Sequence, residues 1–123
     1  MSLPENESEL MLLHNPRCSK SRAAKAWLQE KGTAFTERLY LEDPLTPDEL
    51  GELGTRLGKP VGEWMRKKES AFSEAGLTVS STDAELSEAM ASQPVLMERP
   101  ILIRGERAAV GRPLENFEGL VGN

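Results

Sequence analysis

A chain of 123 residues is one domain's length, able to bury roughly 65–70% of the surface its unfolded form exposes. Hydrophobic residues make up 38% and charged residues 28%; no apolar run approaches the ~18–20 residues of a membrane helix, and the single cysteine excludes an internal disulfide. The net charge of −5 owes much to Glu5, Glu7 and Glu9, and the remainder holds two cationic segments, residues 14–25 and 99–112, with one tyrosine in the whole chain. Such a chain lacks the broad basic face and stacking aromatics of a nucleic-acid binder, yet it suits a small anion. With no secretory signal pattern at the start, the cytoplasm is the expected compartment.

In chain order, residues 1–9 are polar and aperiodic and are expected to be a disordered leader, with a single domain over residues 10–123. Leu10–Leu13 is a four-residue apolar run stopped by His14-Asn15-Pro16, which predicts a buried strand. From Ser19 to Lys31 the period changes to that of a helix, with Ala23, Ala24, Trp27 and Leu28 together and Gly32 as the stop. Ala34–Leu41 predicts a second strand, parallel to the first if the helix is a crossover.

A helical insert is expected over about 46–94. Thr46-Pro47-Asp48-Glu49 combines a capping box with proline at the first helical position, and Leu50, Leu53 and Leu57 form its stripe up to Gly58. A shorter helix is expected over Gly62–Lys68. A second capping box, Thr82-Asp83-Ala84-Glu85, precedes Leu86, Ala89 and Met90 and ends at Gln93-Pro94. Pro100–Arg104 and Ala108–Gly111 read as a hairpin around Gly105-Glu106, and Pro113 opens a closing helix with Leu114, Phe117 and Val121 inward. The expected fold class is α/β, β-α-β followed by the insert and then β-β-α, with a mixed four-stranded sheet.

Cys18 falls at the strand-to-helix junction, where unpaired N–H groups and the helix dipole favour an anion such as a thiolate. Arg17, Lys20 and Arg22 are cationic neighbours, the Ser21 hydroxyl is three residues on, and a protonated His14 would add to them; each would lower the thiol pKa. A lone cysteine is more often a small buried hydrophobe, but the basic, hydroxyl-rich surroundings reverse that preference here. Cys-x-x-Ser at such a junction matches the redox motifs of thioredoxin-like folds with the second cysteine replaced, so turnover would need an external thiol. Glu98-Arg99-Pro100 stands where those folds hold a cis peptide facing the cysteine. Arg66, Arg99 and Arg112 are flanked by apolar or turn residues and, converging on Cys18, would present forked donors to a tetrahedral oxyanion. One histidine and one cysteine offer no metal-ligand spacing, and no metal is expected.

The segments Leu12-Leu13-His14-Asn15-Pro16-Arg17-Cys18-Ser19-Lys20-Ser21-Arg22, Leu39-Tyr40-Leu41, Leu96-Met97-Glu98-Arg99-Pro100-Ile101 and Val110-Gly111-Arg112-Pro113 together resemble the glutaredoxin-coupled arsenate reductases. The likeness runs from about Leu10 to the C-terminus. It implies a thioredoxin-like fold, a catalytic Cys18, thiolate activation by His14 and Ser21, and an oxyanion site of Arg66, Arg99 and Arg112. It also implies arsenate as substrate, glutathione as co-substrate, glutaredoxin as partner and no bound cofactor. Two other functions fit the same residues: a glutathione-dependent thiol reductase of unknown substrate, and a redox-responsive regulator that binds RNA polymerase. Ser21, standing where regulators of that type carry a second cysteine, counts against the last.

Overall fold

The computed structural model describes residues 2–121, and the expected bounds at 1 and at 122–123 lie outside them. Two compact units make up the chain, Met1–Asp43 with Arg99–Asn123, and Pro44–Glu98. The insert expected over 46–94 falls inside the bounds of the second unit.

The first unit is built on a four-stranded sheet. Its strands are β1 (Leu10–Leu13), β2 (Thr36–Arg38), β3 (Ile101–Arg104) and β4 (Arg107–Val110), in the order β2-β1-β3-β4. β1 runs parallel to β2 and antiparallel to β3, and β3 runs antiparallel to β4, giving the expected mixed sheet. Helix α1 (Ser19–Glu30) is the crossover between the parallel pair. Every residue of β1 is buried, as its unbroken apolar run requires of a central strand. Leu10 and Leu12 from β1 pack with Ala24 and Leu28 from α1, Leu102 from β3, and Phe117 and Leu120. Each such leucine or phenylalanine contributes roughly 1.5–3 kcal/mol by burial.

Two elements of this unit differ from expectation. The paired part of β2 is only Thr36–Arg38, because the apolar residues after it serve other ends: Tyr40 is buried beyond the strand, while Leu39 and Leu41 are exposed. The closing helix begins as a 3₁₀ turn, Leu114–Phe117, and becomes α-helical only over Glu118–Val121. Three-residue spacing there buries Phe117 and Leu120, with Val121 only half-buried.

Residues 2–9 also depart from the disordered leader expected. Leu3 and Pro4 are buried, the Glu7 carbonyl accepts from Arg104 Nε at 2.9 Å, and the Glu7 carboxylate pairs with Arg107 Nη2 at 2.9 Å. Composition misled because Glu7, one of the acids that make this stretch polar, meets Arg104 and Arg107 of the β3–β4 hairpin.

The second unit holds α2 (Pro47–Leu57), α3 (Ser70–Glu74) and α4 (Asp83–Ser92), with 3₁₀ turns at Val61–Trp64 and Pro94–Leu96. Both threonine capping boxes form with both bonds present. The helix expected over Gly62–Lys68 does not: after the 3₁₀ turn, Met65 is extended and bridges Met97. Backbone pairing accounts for this, since Arg66 N–H donates to the Leu96 carbonyl at 2.7 Å and Glu98 N–H to that of Trp64 at 3.0 Å. Trp64 is fully buried, and its indole N–H donates to the Lys59 carbonyl at 3.3 Å.

Candidate active site

The segment from His14 to Cys18 is pinned at each residue before the helix starts. His14 N–H donates to the Arg38 carbonyl at 2.9 Å, Arg17 N–H to the Asn15 side-chain oxygen at 3.0 Å, and Cys18 N–H to the Asn15 carbonyl at 3.0 Å. Cys18 is the N-cap of α1, in extended conformation, and its carbonyl accepts the first helical bond from Arg22 N–H. No oxygen side chain caps this helix and no acid lies in its first turn. Its leading N–H groups are therefore available to the sulfur.

Cys18 is nearly buried, at 9% exposure. Burial alone pushes the thiol pKa up. The Ser21 N–H, the Arg99 side chain, the Lys20 N–H and the Arg99 charge act the other way and together hold it below the ordinary thiol value. Arg99 Nε donates to Sγ at 2.8 Å from 81 residues away. The cationic help expected from Arg17, Lys20 and Arg22 comes from Arg99 instead. Arg22 Nη1 is turned to the Pro16 carbonyl at 2.9 Å, and Lys20 contributes its backbone N–H.

Ser21 is fully buried and serves the site differently from the expected hydroxyl-to-sulfur bond. Its hydroxyl oxygen accepts from Asn15 N–H at 3.0 Å and pairs with His14 Nδ1 at 2.8 Å, while its backbone N–H stabilises the thiolate. His14, at 3% exposure, has its pKa lowered chiefly by burial, partly opposed by Glu37 and reinforced by Lys25 and Arg22. It is neutral at neutral pH and adds no positive charge near the sulfur. The Glu37 carboxylate, 3.7 Å from Nε2 and itself paired with Lys25 at 3.1 Å, favours the proton on Nε2. With the proton on Nε2, Nδ1 accepts from the Ser21 hydroxyl, whose proton is then not offered to the sulfur.

Arg112 is exposed, and its Nε donates to the Arg99 carbonyl at 2.7 Å. Gly111 N–H donates to the Pro100 carbonyl at 2.8 Å, tying the segment after β4 to the one before β3. Glycine is required at 111: a Cβ there would lie 2.6 Å from the Phe117 ring. The Arg99–Pro100 and Arg112–Pro113 peptides are both cis, the first as expected. Arg66 belongs to the second unit, where its guanidinium meets Glu69 at 3.1 Å and the Val95 carbonyl at 3.4 Å. The first unit thus brings Cys18, Ser21, His14, Arg99 and Arg112 into one bonded set. Among the described residues no three His, Cys, Asp or Glu gather as a metal-binding group.

Two participants escaped the sequence reading, Glu37 and Lys25. Lys25 is one turn beyond Ser21 and Glu37 lies in the strand beside β1, so the βαβ unit brings them together; the alternation of β2 is too weak to have shown which way Glu37 faces.

A mixed sheet whose first crossover helix starts on a thiolate-stabilising cysteine defines a thiol-chemistry protein of thioredoxin-like fold. The ArsC family profile matches residues 13–120. An arsenate reductase of Neisseria meningitidis serogroup A is 43% identical over 115 residues, covering 92% of this chain and 98% of that protein. The uncharacterized protein YfgD of Escherichia coli is 41% identical over 116 residues, 93% and 98% of the two chains. The solved structure of an arsenate reductase from Vibrio cholerae superposes with a TM-score of 0.84 at 38% identity, covering 92% and 98%. The chain belongs to the ArsC family.

Proposed function

We propose that the protein reduces arsenate to arsenite, with Cys18 as nucleophile and external thiols as reductant. The observation that carries this reading is the Arg99 guanidinium 2.8 Å from a sulfur already seated among helix-start N–H groups. The full-length likeness to an arsenate reductase supports the choice of substrate.

In this reading the Cys18 thiolate attacks arsenic(V), an S–As bond forms, and an arsenate oxygen leaves as water after protonation. Arg99, with Arg112 as a further oxyanion donor, balances the charge on the remaining oxygens. Glutathione thiolate then attacks Cys18 sulfur. The S–S bond forms, the S–As bond breaks, and arsenic keeps the electron pair and departs as arsenite, two electrons having come from the two sulfurs. The chain has no second cysteine to resolve the mixed disulfide, so glutaredoxin exchanges it for its own thiols. His14 and Ser21 are positioning residues, fixing the loop that presents Cys18. A glutathione-dependent step belongs in the cytoplasm, where the thiol pool is reduced.

The test is a coupled assay that follows NADPH oxidation with glutathione, glutaredoxin and glutathione reductase. Arsenate-dependent oxidation that disappears in Cys18→Ser is expected. Oxidation supported by thioredoxin and its reductase instead would refute the glutathione coupling, and none with either couple would refute arsenate reduction.

A further inference from the structure

A pocket of about 430 Å³ is lined by Lys20 and Ala23 of α1 and by the four residues Gly111–Leu114. One wall is bonded to the sulfur directly and the other through Arg99. Lys20 contributes a backbone N–H to the thiolate, and Arg112 holds by its Nε the carbonyl of Arg99, whose own Nε is 2.8 Å from Sγ. The charged lining is wholly cationic, Lys20 and Arg112, while Ala23, Pro113 and Leu114 supply apolar surface. Lys20 is exposed, so its ammonium can turn toward a ligand.

We propose that this pocket binds the reducing co-substrate, a small thiol bearing carboxylates, and that Lys20 selects it by pairing with a carboxylate. Three observations converge on this occupant. A lone cysteine needs an incoming thiol. That thiol must approach a sulfur flanked on one side by Arg99, and the pocket's lining includes Lys20, bonded to that sulfur by its backbone N–H, and Arg112, bonded to Arg99. An all-cationic rim over apolar walls fits a molecule with anionic ends and a short aliphatic body better than it fits a neutral thiol. The inference rests on the thiol-dependent reading above and deepens it.

Disulfide exchange tests it without arsenate. The Cys18 thiolate attacks oxidised glutathione, one S–S bond forms as another breaks, and glutathione thiolate leaves with the electron pair. The product is the mixed disulfide that the proposed cycle passes through, read by intact mass. Bis(hydroxyethyl) disulfide, which has no charge, undergoes the same exchange and reports changes in the sulfur itself. The quantity of interest is the ratio of the two rates in the full chain.

Lys20→Gln should lower that ratio about 3–10-fold, the scale of one partly exposed charge pair. Ala23→Glu, which places a carboxylate on an exposed pocket position, should lower it at least as much. Added salt should compress the wild-type ratio and change that of Lys20→Gln less. An unchanged ratio in both variants, or an equal slowing of both disulfides in Lys20→Gln, would overturn the proposal. Arsenate turnover is absent from every one of these readouts, so loss of the arsenate reading and loss of the pocket give different results.

Discussion

Helices α2 and α4 begin on threonine, whereas α1 begins on cysteine. Thr46 accepts from Glu49 N–H at 3.1 Å and Glu49 returns a carboxylate to Thr46 N–H at 3.0 Å; Thr82 and Glu85 repeat the pattern at 3.2 and 2.8 Å. Acids also fill the first turns of both helices, Asp48 and Glu49 in one, Asp83 and Glu85 in the other. α1 has neither an oxygen cap nor an acid there. The two insert helices satisfy their own N-termini and so gain about 1 kcal/mol each. At α1 the same backbone groups are kept for the sulfur, so the helix start that lacks an ordinary cap is the one that carries the chemistry.

The largest effect expected is that of Cys18→Ser, which gives α1 a hydroxyl cap like the other two. Arsenate turnover should fall by at least about 10³-fold, while folding stability in urea stays within about 1 kcal/mol of wild type. Arg99→Ala comes next. Removing one charge-assisted donor at the sulfur should lower kcat/KM about 10–100-fold, and steady-state kinetics equal to wild type would detach Arg99 from the mechanism.

Ser21→Ala keeps the backbone N–H that stabilises the thiolate but strands His14 Nδ1 and Asn15 N–H in a buried place. It should therefore cost about 1–3 kcal/mol of stability and shift the Cys18 titration less than Arg99→Ala does. Urea melts and alkylation profiles of the two variants separate these outcomes. Thr46→Ala or Thr82→Ala should cost about 1 kcal/mol and leave Cys18 alkylation unchanged, because the caps act only on their own helices.

A smaller signature is the pH dependence of stability. His14 has a depressed pKa when folded, so on acidification the unfolded chain takes up its proton first, and stability falls as pH drops through the ordinary histidine range. Cys18 is also depressed, so its contribution is complete above the ordinary thiol pKa and is lost as pH falls through the folded value. Both groups bind fewer protons folded than unfolded, and stability should rise with pH from the histidine range to the thiol range. Cys18→Ser should remove the upper part of that slope and spare the lower, measurable by urea melts across pH.

Elements with local chemistry were readable from the sequence. Both capping boxes, the Gly105-Glu106 hairpin and the apolar run of β1 announce themselves within a few residues, and the structure has each of them. Segments governed by distant partners were not: Met65 is extended because residues 96–98 pair with it, and residues 2–9 are ordered by the hairpin arginines. The site divides in the same way. Cys18 at a helix start is a local fact, and Arg99 beside a proline is a local clue. That Arg99, rather than the adjacent Arg17 and Arg22, supplies the charge depends on a contact across 81 positions. The destination of the Ser21 hydroxyl depends on His14 being buried and neutral, which spacing alone does not reveal.

The most direct test of the account is a thiolate titration of Cys18 by ultraviolet absorbance, in wild type and in Arg99→Ala. A wild-type midpoint below that of a free cysteine, moving upward in the variant, is the predicted result. An ordinary thiol midpoint in wild type, unmoved when Arg99 is removed, would contradict the claim that this sulfur is held ionised by a helix start and a guanidinium brought to it by the fold.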